Sequence, residues 1–225
     1  DVFSQFEVQK TDHLGVVHAF DIHWRISAQP AFADVLTYDE LLPRTVRVPT
    51  LGASAFAPGT VDALLLACVH PVMHHRNVER VLWIYDIHLL AAALAPAELD
   101  EFARRAVEKR VAAVCAHGLR LARSTFGTAV PAEIVARLST PGRAEPSAAY
   151  LASDRRWHDE LISSIRGLPS FGERARLLRA VLFPGARYML DAYGLRGKPL
   201  GPWLLPALYM HRNLHGAWKV VSGKK

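Results

Sequence analysis

Asp21, His23 and Arg25 stand at every second position of the stretch VVHAFDIHWRIS, Val16 to Ser27. The stretch is rich in Val, Ile, Phe and Trp, as strands are. In a strand this spacing puts a carboxylate, an imidazole and a guanidinium on one face. Phe20, Ile22, Trp24 and Ile26 alternate with them as an apolar face that packs. The polar face is either the solvated side of an edge strand or the lining of a cleft, with His18 near it in sequence. A strand carboxylate is well placed to ligate Mg²⁺, because the sheet fixes its direction.

A second group lies in HPVMHHRNVERVLWIYDIH, from His70 to His88. His70 and His74 are four apart and share a helix face. That is also zinc-helix spacing, but the zinc-protease pattern needs Glu directly after the first His. Pro71 stands there instead, where it removes a backbone donor. Asp86 sits in an apolar helical run and is expected to need a partner, with Arg76, Arg80 or a His as candidates. Asp86, Trp24 and Trp83 are read as structural support for the site.

These residues need elements to hold them. Up to about Phe56 the chain is expected to be β-rich. FEVQK and GVVHAFDIHWRIS are joined through TDHLG, and RTVRVPTLGASAF adds a short strand and loop. Residues 34–42 form a short helix or loop. After APGT the pattern turns helical. Thr60 is expected to cap a helix carrying Asp62 in its first turn. VERVLWIYDIHLLAAALA is a second helix, buried over much of its surface. Residues 95–127 read as one long amphipathic helix closed by Gly127. PAEIVARL is a short helix, and STPGRAEPS is a loop. AAYLASDRRWHDELISSIRGL, FGERARLLRAVLF and GPWLLPALYMHRNLHGAWKVV are further helices, with FPGAR as a turn. The fold class is α+β, a partial mixed sheet followed by a larger α-helical region. The expected domains are 1–58 and 59–225, with a possible sub-boundary at 139–147.

In this order the motifs resemble the uncharacterised nucleotidyltransferase family of the polymerase-β-like superfamily. Asp21-Ile22-His23-Trp24 matches its D-x-H-W strand, His70 with His74 its H-x-x-x-H helix, and Trp83-Ile84-Tyr85-Asp86-Ile87 its W-[LI]-x-D-[IL] helix. RARLLRAVLFPGARYMLDAYG is similar to the C-terminal part of such proteins. The resemblance implies transfer of a nucleoside monophosphate from an NTP to an acceptor, with two Mg²⁺ ions held by three carboxylates. It places Asp21 as the third carboxylate, a catalytic metal ligand. His23, Arg25, His70 and His74 would contact phosphate or acceptor. The family's G-S turn and D-x-D pair are not found before Asp21, and LGAS at 51–54 lacks a following carboxylate pair. The expectation is an N-terminally truncated copy that is inactive by itself. Two alternatives stand beside it. One is a non-catalytic nucleotide- or partner-binding module; the other is a metal-dependent hydrolase using His70, His74, His75 and Asp86.

The bulk numbers fit an NTP-handling protein without demanding one. Lys and Arg outnumber Asp and Glu by 27 to 21, net charge +6, without a basic run or base-reading motif. The acceptor is therefore expected to be a small molecule or a protein. Cys68 and Cys115 lie in apolar helical contexts and read as buried reduced thiols. No apolar run is long enough to span a bilayer, and a cytoplasmic protein is expected.

Overall fold

A computed structural model describes residues 5–27, 29–140, 145–152, 161–162, 164–166, 168 and 170–222. Strands β1 (Gln5–Thr11) and β2 (Val17–His23) form an antiparallel hairpin. Asp12 builds its turn, with a carboxylate that accepts from Leu14 N at 2.8 Å and Val16 N at 3.0 Å. Gly15 there has φ 80°, a left-handed value that glycine takes without strain. His18, on the apolar side of the hairpin, bonds Asp12 at 3.0 Å and not the polar group it adjoins in sequence. Every residue of β2 is exposed. The strand has one neighbour, and no third strand pairs with it among the described residues. Phe20 and Ile22 stay half-exposed for that reason, at 56% and 47%, and Trp24, just past the strand, is 47% exposed.

The hairpin leads through a buried segment, with Phe32, Val35 and Leu36 in the core, to the short helix α1 (Tyr38–Leu41). Thr37 and Glu40 close its N-terminus reciprocally as a capping box. Strands β3 (Val46–Arg47) and β4 (Phe56–Ala57) make a second small antiparallel pair where one strand and a loop are expected. Both sheets are antiparallel, so the mixed sheet is not formed among the described residues.

Five helices follow: α2 (Thr60–His74), α3 (Val81–Ala93), α4 (Pro96–Glu108), α5 (Ala112–Phe126) and α6 (Ala132–Ser139). Helix α5 is central and packs on α2, α3, α4 and α6. Its Gly118 makes the close approach possible. A Cβ there would stand 3.1 Å from Ile87 Cδ1 and 3.2 Å from Cys68 Sγ. Cys68 and Cys115 are free and buried.

Four expectations change here. Gly59, not Thr60, is the N-cap of α2. Asp62 does not simply meet the helix dipole; it is buried between two guanidiniums, bonding Arg44 Nε at 2.9 Å and Arg105. The single helix over 95–127 is two. Arg110 takes φ 60°, Val111 is fully buried, and Glu145 caps the second helix by accepting from Ala112 N at 3.2 Å and Ala113 N at 2.9 Å. Helix α3 buries only Ile84, Ile87 and Ala91, leaving Val81, Leu82, Tyr85 and Leu89 exposed.

Residues 146–151, expected in part as α-helix, are 3₁₀. Much of the helix expected after them lies outside the described residues. The chain divides into two compact units, 1–167 and 168–225. The second holds α7 (Phe171–Leu182), α8 (Ala186–Ala192) and α9 (Gly201–Ser222). Helix α8 falls in a stretch expected as a turn and its continuation. Arg212 and Asn213 of α9 donate to the last carbonyls of α7, Val181 at 2.7 Å and Leu182 at 3.1 Å. No helix among the described residues is long and apolar enough to cross a membrane.

Candidate functional site

The hairpin register decides what shares a face with Asp21. Glu7 stands directly opposite it, Gln5 opposite His23, and Gln9 opposite Ala19. One face therefore carries two carboxylates side by side, with Gln9 Nε2 donating to Glu7 Oε1 at 2.5 Å. Val8, Phe20 and Ile22 occupy the other face. Arg25 does not continue the alternation, because β2 ends at His23 and residues 24–26 bend away. Glu7 is the residue that strand spacing alone overlooks. Counting back through a tight TDHLG turn pairs residues whose numbers sum alike, and that count finds it.

The end of β2 is tied to the end of α2. His74 Nε2 donates to the Ile26 carbonyl at 3.0 Å, which fixes the proton on Nε2. The His23 and His74 rings stand 6.4 Å apart, edge to face. From His74 a cluster of rings continues inward. His70 lies 5.6 Å from His74 and 5.6 Å from Trp83, while His75 stacks on Trp83 at 4.3 Å. The Arg80 guanidinium sits over the Trp83 ring at 4.8 Å.

Local backbone makes this cluster possible. Helix α2 runs through Pro71, whose carbonyl accepts from His75 N at 3.1 Å and Asn77 N at 3.0 Å. Arg76 and Asn77 then take φ 52° and 56°, a left-handed pair without glycine. Asn77 is anchored by its Nδ2 donating to the Leu151 carbonyl at 3.2 Å. The turn sends Trp83 back against the histidines.

Burial, followed by the charges of His74 and His75, holds the His70 pKa down to about 4. Burial, His74 and Arg80 lower that of His75. Both rings are therefore neutral near neutral pH. The cleft that Trp83 lines with Cys68, Val72, Ile87, His117 and Leu121 is mostly apolar and about 20 Å³, far too small for a nucleotide. Asp86 is exposed on α3, so the partner expected for a buried carboxylate is not needed. Among the described residues no three His, Cys, Asp or Glu side chains are grouped to hold a metal.

Asp21-His23-Trp24, His70 with His74, and Trp83 lie on three separate elements, and the structure brings the three motifs into one neighbourhood. A family model described as "Uncharacterised nucleotidyltransferase" matches residues 5–127, more than half of the chain. The chain belongs to this nucleotidyltransferase family. No curated protein and no solved structure matches it. The family match runs from the first residue of β1 to Gly127, the C-cap of α5, and so contains every residue of this neighbourhood.

Asp21 and Glu7 offer hard oxygen ligands, and Mg²⁺ is usually held by one or two carboxylates with waters and substrate phosphates. Their chemistry fits one such ion. Two ions need more carboxylates than this face provides.

Proposed function

We propose that this member of the nucleotidyltransferase family presents the acceptor side of a nucleotidyl-transfer site, in which a nucleoside monophosphate passes from an NTP to an acceptor hydroxyl. The reading is carried by the cross-strand pair Asp21–Glu7 within reach of the imidazole cluster at the end of α2. A bound Mg²⁺ would neutralise phosphate charge and acidify the acceptor hydroxyl. Asp21 and Glu7 would hold it. Asp21 would also take a hydrogen bond from the acceptor hydroxyl and orient it. His23 and His74 stand beside the carboxylate face, where an imidazole N–H can donate to a phosphate oxygen.

Complete transfer by two metals requires a carboxylate pair of the D-x-D kind, and the 225 residues contain none. We therefore expect this polypeptide to bind Mg²⁺ and NTP without turning NTP over. A small molecule or a protein remains the expected acceptor. The test is pyrophosphate release from each NTP in Mg²⁺. No release from the wild type, with Mg²⁺-dependent nucleotide binding lost in Asp21→Asn, supports the reading. Release that disappears in Asp21→Asn would show that the chain is a complete enzyme. Nucleotide binding indifferent to Mg²⁺ and to Asp21 would favour a degenerate binding module.

A further inference from the structure

The imidazole cluster contains a pair to which the proposed transfer gives no defined part. His70 Nε2 and His75 Nε2 face each other at 3.3 Å. Their ring centroids are farther apart, at 4.9 Å, with the ring planes 21° from parallel, so the nitrogens are the near edges of the two rings. Zinc–imidazole bonds of about 2.0–2.1 Å in a tetrahedral arrangement set two ligand nitrogens about 3.3–3.4 Å apart. The observed separation suits an N–H···N hydrogen bond and equally two ligands of one metal ion. His74 is the third ring of the group, with its centroid 5.6 Å from His70 and 6.4 Å from His75.

We propose that His70 and His75 form a two-imidazole site for a divalent transition-metal ion of the Zn²⁺ and Cu²⁺ class, separate from the carboxylate face that suits Mg²⁺. Imidazole ligands select these ions over Mg²⁺, which prefers oxygen. In the metal-free protein the two nitrogens share one proton, one ring donating N–H to the other. When the ion binds, the donor ring moves its proton from Nε2 to Nδ1. Both Nε2 lone pairs then face the metal, and no net proton is released from neutral rings. Water completes the coordination. Arg80, which stacks on the same Trp83 as His75, opposes the approach of a cation. The affinity is accordingly below that of three- and four-ligand zinc sites.

The site also has a structural consequence. His70 lies within α2 and His75 is its C-cap, just before the left-handed pair Arg76–Asn77. A metal across them clamps the helix end. By mass action, an ion that binds only the folded state raises its stability in proportion to the logarithm of free ion.

The experiment uses the tag-free full chain with Zn²⁺ or Cu²⁺ chloride alone. Calorimetric titration should show one ion per chain, and the Cu²⁺ paramagnetic spectrum should carry nitrogen couplings from at least two imidazoles. His75→Gln, at a partly exposed position, should weaken binding at least about tenfold, the scale on which even outer-shell partners act. It should also abolish the Zn²⁺-dependent rise in unfolding temperature. His70→Gln should do the same, and His211→Gln in the second unit should change neither readout. Circular dichroism establishes that each variant is folded. Equal affinity in the wild type and His75→Gln, or a Cu²⁺ spectrum unchanged by that substitution, would overturn the proposal.

Discussion

Asp21 and Glu7 are like charges set directly opposite each other, an arrangement that destabilises a hairpin. Under the proposed function, the ion they hold offsets that repulsion. Glu7→Gln should therefore slow hydrogen exchange of the β2 amides in metal-free buffer while weakening Mg²⁺ binding. Faster exchange in this variant would mean that the carboxylate has a structural role instead. Asp21 was legible from alternation alone. Glu7 was legible only through the register, since it belongs to a different strand. His70 and His74 were legible as neighbours on a helix face. Their contact with Trp83 was not, because it depends on two left-handed residues, Arg76 and Asn77, that carry no glycine signal.

Ion pairs join elements that are far apart in the sequence. Asp62 is 1% exposed and Arg105 5%, and they join the start of α2 to α4 with Arg44 at the rim. Removing one member of a buried pair leaves the other charge uncompensated. Asp62→Ala should cost about 3–5 kcal/mol, read as a lowered denaturant midpoint. A loss below about 1 kcal/mol would show that the pair contributes little.

Glu40 caps α1 and meets Lys109 Nζ, just beyond α4, at 2.5 Å. The Lys109 hydrogen bond, opposed by burial and aided by Thr37, holds the Glu40 pKa down to about 2 from 4.5. An unfolded carboxyl takes its proton first, so this contribution is present above pH 4.5 and declines as pH falls toward about 2. Thermal unfolding across that window should fall less steeply in Glu40→Gln than in the wild type. The break between α4 and α5 illustrates what sequence could not show. The amphipathic pattern runs on through 109–111, whereas Glu145 caps the second helix from more than thirty residues away.

At the scale of the molecule, the α+β order was legible because the period of the pattern changes near residue 58. The extent of the sheet was not. Strand β2 alternates as a cleft-lining strand should, yet among the described residues it pairs only with β1 and is exposed along its length. An isolated two-stranded hairpin is marginally stable in water. The division into units at 167/168 also carries no punctuation stronger than the loop at 139–147. The family match ends at 127, so the second unit lies beyond it.

The central claim is that the Asp21 face holds a metal-bound nucleotide. Calorimetric titration of NTP into the full chain, with and without Mg²⁺, tests it most directly. The account predicts binding that requires Mg²⁺ and weakens at least about tenfold in Asp21→Asn. Binding that is equally tight without Mg²⁺, or unchanged in Asp21→Asn, would contradict it.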